Sequence, residues 1–230
     1  MEGHRVDLKR LARQRLYEFM KRVFDVTVSL VVLVGLAPLW LAVCLLIKLS
    51  SKGSILYRAS GVGREEKPLT YYKFRTMVDG NDDSNHRAWV ASYVSTDQPY
   101  TTLTHQNGKA TPVYKVLYDE RVTTIGQYLR RFSLDEVPQF INVLRGEMSV
   151  VGPRVPLDYE HAHYDDVAKQ RLLVLPGITG LAQVRARGTA SFSEMLKLDL
   201  EYVEKRSIWL DLWIALQKFP VIIIGKGYTG

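Results

Sequence analysis

"VTVSLVVLVGLAPLWLAVCLLI", Val26 to Ile47, contains no charged residue and carries a proline near its middle. As one helix the run is ~33 Å long, enough for a hydrocarbon core of ~30 Å. Pro38 argues against a straight helix, because it removes a backbone donor and its ring clashes with the preceding turn. The two halves, at ~18 and ~14 Å, are each too short to cross. The flanks are basic on both sides, with Arg13, Arg15, Lys21 and Arg22 before and Lys48, Lys52, Arg58 and Arg64 after. Basic residues are retained on the cytoplasmic face, so a re-entrant helical hairpin broken at Pro38 is expected, with both ends on that face. The alternative is a single kinked transmembrane helix whose neighbours re-satisfy the backbone. No small-x-small cleavage site is present, so a removed signal peptide is not expected.

Upstream, Val6 to Met20 alternates basic residues with Leu8, Leu11, Leu16 and Phe19, the pattern of a basic amphipathic helix on an anionic leaflet. A solvated juxtamembrane arm has the same composition. Near the other end, Trp209, Leu212, Trp213, Leu216 and Phe219 recur at helical spacing. Tryptophans in such a stripe fit a membrane interface, although a core-facing helix fits the spacing too. Pro220 is expected to end or kink that helix.

The whole chain of 230 residues is long enough to bury a proper core, and its 47% hydrophobic content is that of a globular protein. Net charge of +7 favours anionic partners: nucleic acid, anionic lipid or phosphorylated small molecules. A single cysteine excludes an intrachain disulfide framework and a cysteine-cluster metal site. Cys44 lies in the apolar run, where a small buried hydrophobe is its expected role.

Between the apolar ends the pattern reads as one domain without repeats. Lys67 to Met77 has the alternation of a strand, with Tyr71, Lys73 and Arg75 on one face. A polar stretch from Asp79 to Thr111 surrounds a helix near Ala88–Tyr93. Then comes "RRFSLDEVPQFINVLRGEMSVVGPR", Arg130 to Arg154, with Asp135 and Glu136 side by side. Pro138 is tolerated only in a first helical turn, so the pair lies at or just ahead of a helix N-terminus; Gly146 is the natural stop. The structural reading is a capping box, Ser133 to Glu136, whose acids gain about 0.3–1 kcal/mol from the helix dipole. A second capping box, Ser191 to Glu194, opens a helix through Tyr202. No His-Glu zinc motif, Walker loop or dinucleotide fingerprint is present. His161, His163, Asp165 and Asp166 form a weak metal cluster, and such clusters are mostly solvated surface.

The functional reading of the pair starts from the helix terminus. Its free N–H groups and positive potential attract phosphate and keep a carboxylate ionised. A carboxylate that attacks a phosphate needs cations to offset the repulsion, either Mg²⁺ or a ring of basic side chains. Lys73, Arg75, Arg130, Arg131 and Arg154 are available.

With "KFRTM", "LPGITGLAQV" and "LDLEYVEKRSIWLDLWI" added in that order, the sequence resembles the bacterial sugar transferases, the monotopic polyprenyl-phosphate phosphoglycosyl transferases. The likeness runs from about Lys21 to the C-terminus, as a minimal catalytic unit without the larger relatives' extra N-terminal membrane region. It implies transfer of a sugar-1-phosphate from a UDP-sugar to undecaprenyl phosphate, with release of UMP, Mg²⁺ as cofactor and a covalent Asp-phosphosugar intermediate. It also implies that Asp135 is the nucleophile and that Asp135 and Glu136 hold the metal. By the same resemblance Arg130 corresponds to the polyprenyl-phosphate arginine, and Lys73, Arg75, Arg154 and Arg187 are expected to contact the donor or its phosphates. Three positions depart from the family pattern. The hairpin bends at Ala37-Pro38 rather than Ser-Pro, Gly-Pro-Arg-Pro ends in Val155, and the usual Asn-Gly-Arg reads Arg185-Ala186-Arg187.

The expectation is a mixed α/β, helix-dominated fold in three regions: a basic amphipathic helix (1–22), a re-entrant membrane helix (23–50) and a cytoplasmic catalytic domain (51–230) closing in an interfacial helix. The place is the bacterial cytoplasmic membrane, with the catalytic domain facing the cytoplasm. Expected partners are a UDP-sugar, undecaprenyl phosphate, membrane lipids, a homodimer mate and downstream glycosyltransferases, with no nucleic acid. Two alternatives stay open: a membrane-anchored module that binds anionic lipid or nucleic acid without catalysis, and a metal-dependent phosphohydrolase acting on the same donors.

Overall fold

A computed structural model describes residues 8–78, 84–104, 110–113, 121–186 and 190–224. Helix α1 (Leu8–Gly35) runs unbroken through the expected N-terminal helix and the first arm of the apolar run. The chain breaks at Leu36 and resumes as α2 (Ala37–Ser50), with Pro38 in the first turn, where its missing donor is harmless. The two axes bend by 63°. Among the described residues, no single helix is long and apolar enough to cross a membrane, and only this bent pair passes together. The Trp40 indole closes the elbow by donating to Val32 O at 2.7 Å.

Strands β1 (Leu56–Val62) and β2 (Pro68–Phe74) pair antiparallel, from Leu56 opposite Phe74 to Val62 opposite Pro68. The expected strand is therefore present, but it ends at Phe74, one residue before Arg75. Helix α3 (Ser84–Thr96) extends the predicted helix at both ends, and β3 (Thr101–Thr104) pairs antiparallel with β4 (Ala110–Val113). Helix α4 (Thr124–Arg131) is capped by Thr123, whose hydroxyl accepts from Gly126 N. A 3-10 turn (Leu134–Glu136) leads into α5 (Gln139–Arg145), which Gly146 ends in the left-handed conformation at φ 78°. Strand β5 (Ser149–Val151), the short helices α6 (Asp158–His161) and α7 (Asp166–Lys169), and β6 (Gly177–Thr179) follow, with β6 parallel to β5. Helices α8 (Leu181–Ala186), α9 (Phe192–Lys205) and α10 (Ile208–Ile224) complete the helix-dominated mixed α/β fold. The Ser191–Glu194 capping box forms as read.

The glycines of two motifs meet. A Cβ on Gly177 would lie 2.1 Å from Gly152 N, and one on Gly152 2.4 Å from Leu175 O, so the two backbones touch where side chains cannot fit. This contact seats the Gly-Pro-Arg turn against β6, with Gly177 N donating to Pro153 O at 2.8 Å. The main apolar core then gathers Ala59, Leu69, Tyr71, Val143, Met148, Val151, Ile178, Leu181, Tyr202 and Ile214.

Helix α1 is tied into this core by charge. Lys21 Nζ lies 3.2 Å from Asp211 Oδ2 and donates to Val151 O at 3.0 Å. Asp25 accepts from Val150 N and from the Ser149 hydroxyl, both at 3.0 Å. Arg22 caps α5 by donating to Val143 O and Leu144 O at 2.6 and 2.7 Å. Two of the basic residues that flank the apolar run thus also pin it to the domain.

Helix α10 resolves the tryptophan stripe. Ile214 is fully buried, and Asp211 beside it, whereas Trp209, Trp213 and Leu216 are exposed, so the stripe is not the core-facing side. The helix continues past Pro220 to Ile224 instead of ending there.

Candidate active site

The Ser133 capping box is not formed. Ser133 adopts φ 54°, ψ 26°, and its side chain makes no cap hydrogen bond. A cap needs extended backbone. Helix α4 ends at Arg131 with Phe132 as its cap residue, so Ser133 must reverse the chain in the left-handed region, an uncommon conformation for a residue with a side chain. Asp135 and Glu136 therefore sit in a tight 3-10 turn directly ahead of α5, with Pro138 at the cap position.

Three residues fix this turn. The buried Asn142 of α5 reaches the edge of β2, donating to Thr70 O at 2.8 Å and accepting from Tyr72 N at 3.2 Å. It thereby mimics a neighbouring strand and holds α5 in register with the strand that carries Lys73. On the other side, Gly126 lets α4 lie directly on Thr76, where a Cβ would come within 2.1 Å of Thr76 O. Arg130 then donates from Nε to Thr76 Oγ1 at 2.9 Å.

Lys73 and Glu136 meet at 3.7 Å, Nζ to Oε1. Burial works against the Lys73 ammonium, yet Glu136 and Asp135 together raise its pKa above the ordinary lysine value. Asp135 shows the opposite balance. Burial pushes its carboxyl up to about 6 and the charge of Glu136 adds to the shift, while Lys73, Arg130 and Lys218 pull it down. Lys218 of α10, which sequence reasoning misses, places Nζ 3.7 Å from Glu136 Oε2. Its only signal in the sequence is a lone lysine on the face of α10 that also carries Asp211.

The remaining predicted residues are distributed around this corner. Arg154 ion-pairs with Glu160 of α6, and its charge opposes that of Lys73. Glu160 belongs to a buried set. Arg171 lies 3.7 Å from Glu160 Oε1, pairs with Asp199 and donates to Arg154 O at 3.1 Å; the Tyr164 hydroxyl donates to Glu160 Oε1 at 2.7 Å. Burial alone would raise the pKa of Glu160, but Arg154 and Arg171 hold it below the usual carboxylate range. Arg75 turns away from the pair. It is buried and donates to Ser51 O and Ser51 Oγ at 2.7 and 2.9 Å, beyond the end of α2, while its Nε and second terminal nitrogen have no partner. Arg187 lies outside the described residues.

Asp135 and Glu136, adjacent in one turn, offer carboxylate oxygens that suit a hard cation bound through one or two protein oxygens and substrate phosphates. The pair fits Mg²⁺ on these grounds. The His161 cluster does not gather. Asp165 caps α7 through Ala168 N, His161 faces Glu66 at 3.1 Å, and among the described residues no three His, Cys, Asp or Glu side chains converge as a metal-binding group.

The family model described as bacterial sugar transferase matches residues 16–225 of this chain. The exopolysaccharide production protein ExoY of Sinorhizobium fredii is 35% identical over 207 residues, covering 90% of this chain and 87% of that protein. The UDP-glucose:undecaprenyl-phosphate glucose-1-phosphate transferase of Escherichia coli is 35% identical over 218 residues, covering 91% of this chain and 40% of that protein. The undecaprenyl-phosphate galactose phosphotransferase of Salmonella typhimurium is 31% identical over 229 residues, covering 98% and 45%. Against these last two relatives the chain spans less than half of their length.

Proposed function

The chain belongs to the bacterial sugar transferase family, and from that premise we propose that it transfers a sugar-1-phosphate from a UDP-sugar to undecaprenyl phosphate at the cytoplasmic membrane. One observation carries this reading: Asp135 and Glu136 are held in a rigid turn ahead of α5, faced by Lys73, Arg130 and Lys218 from three other elements. Such a corner accepts a diphosphate while keeping a carboxylate in reach of it.

Asp135 attacks the sugar-bearing phosphorus, the bond to the UMP oxygen breaks, and UMP leaves with that electron pair. The acyl-phosphate sugar is then attacked at phosphorus by the lipid phosphate, which releases Asp135 as a carboxylate. Lys73 and Arg130 stabilise the charge that spreads over the transferring phosphate oxygens, where preformed cations act without reorganisation. Arg130 lies next to the turn and suits the lipid phosphate; Arg154, held by Glu160, suits the donor. Asp135 and Glu136 would hold Mg²⁺, which supplies further neutralisation of the diphosphate when bound. Glu136 keeps Lys73 charged and in place.

The membrane part of the proposal rests on exposure. Val31 and Val34 of α1, Leu41, Leu45 and Leu49 of α2, and Trp209 and Leu216 of α10 are large apolar side chains left outside the core. An exposed apolar surface of that kind fits lipid, with the bent helix pair dipping in and returning. The activity test is UMP release from a panel of UDP-sugars. Sustained release that requires polyprenyl phosphate, with no more than about one equivalent of UMP per enzyme from the donor alone, is the expected result. Sustained release without the lipid would instead indicate a phosphohydrolase, and none from any donor would leave a binding module.

A further inference from the structure

Helix α10 is apolar along most of its length, yet Asp211 and Lys218 stand two turns apart on its inward face. Asp211 serves the anchoring of α1, where it accepts from the Tyr17 hydroxyl at 3.0 Å and lies 3.2 Å from Lys21. Lys218 goes elsewhere. Its ammonium lies 3.7 Å from one oxygen of Glu136, and Lys73 lies 3.7 Å from the other. Lys218 and Glu136 expose 17% and 19% of their side chains, so bulk solvent and salt screen this contact less than a surface pair.

We propose that Lys218 is a positioning residue: together with Lys73 it forms a two-sided ammonium clamp that fixes the plane of the Glu136 carboxylate beside Asp135. The proposal rests on the sugar-phosphate transfer reading above. The terminal torsion of a glutamate is broad, so a single cation leaves its carboxylate free to swing. Two cations from β2 and α10, one on each oxygen, remove that freedom. Each oxygen keeps lone-pair capacity for further partners, since an ionised carboxylate has about four acceptor sites. A clamp of this kind acts on orientation, so its loss lowers turnover more than donor affinity. It also links α10, whose other face is exposed and apolar, to the reacting carboxylates.

The experiment is a pair of double-mutant cycles on the full chain in detergent, using Lys218→Met, which keeps length and removes charge, with Glu136→Gln. In single-turnover UMP release, Lys218→Met lowers the rate about tenfold, with donor KM within about twofold, and Lys218→Arg recovers most of the loss. In the Glu136→Gln background the same substitution changes the rate less than about twofold, because the group it orients is already altered. In thermal melts the double variant loses less than the sum of the two single losses. Additivity in either cycle overturns the clamp, as does an effect confined to donor KM. If the wild-type chain releases no UMP, the transfer reading fails while the melt cycle still decides the clamp.

Discussion

Two groups of charged side chains act on Lys73, and they are built differently. Around Glu160, Arg171, Asp199 and Arg154, opposite charges pair and Tyr164 joins them, so that Glu160 is held below the usual carboxylate range. Beside Asp135 a second carboxylate is adjacent, Lys73 and Lys218 face that neighbour, Glu136, at 3.7 Å each, and burial lifts the Asp135 pKa to about 6. Glu160 is the compensated member of the first group, while burial raises the carboxyl of Asp199, and Arg171 holds the Gly-Pro-Arg turn through Arg154 O. The second is left with charge to offset, the state expected of a group that meets a ligand. On the proposed reading, similar side chains serve as a brace in one place and as reacting groups in the other, according to how each charge is matched.

The largest effect should separate them by activity alone. Asp135→Asn should lower turnover by about four orders of magnitude or more while the melting temperature stays near that of the wild type. A variant that keeps most of its activity would reduce Asp135 to a structural acid and erase the contrast. Glu136→Gln should also be severe, with donor binding partly retained.

On the compensated side the order reverses. Arg171→Met removes one partner from a fully buried set and should cost about 3–5 kcal/mol of stability, read by denaturant unfolding. If folding is hardly affected and activity alone collapses, Arg171 belongs with the reacting groups.

Much of this contrast was legible in the sequence, but unevenly. Pro38 located the break between α1 and α2, Pro138 placed the carboxylates just ahead of α5, and Gly146 marked its end, because each acts through local backbone geometry. The Ser133 cap failed because the same serine must reverse the chain between two helices, a demand set by tertiary packing. Periodicity found the stripe on α10 but not which face turns inward; the buried Asp211 and Ile214 decide that. Lys218, Asn142 and Arg171 were not legible, since each acts on a partner far along the chain and sits in no motif that predicts one.

Two substitutions of intermediate effect sharpen the boundary between the groups. Arg130→Ala should raise KM for the polyprenyl phosphate more than for the UDP-sugar, and Arg154→Ala should show the opposite bias, each by about tenfold to a hundredfold. Equal effects on both substrates would mean that the cations are not divided as proposed.

The smallest effect concerns pH. Glu160 has a folded-state pKa below its unfolded value of about 4.3, so its contribution to stability is present above that pH and lost as pH falls through the folded value. The wild-type melting temperature should drop below about pH 4, and Glu160→Gln should flatten that part of the curve. An unchanged slope would show that other carboxylates dominate acid unfolding.

The covalent step at Asp135 is what most directly distinguishes the proposed transfer from its rivals. Incubating the enzyme with a UDP-sugar alone and mapping its peptides by mass spectrometry should find a phosphosugar on the peptide that holds Asp135, removed on adding polyprenyl phosphate. An unmodified peptide, together with sequential rather than ping-pong kinetics, would contradict it and assign the attack to the lipid phosphate itself.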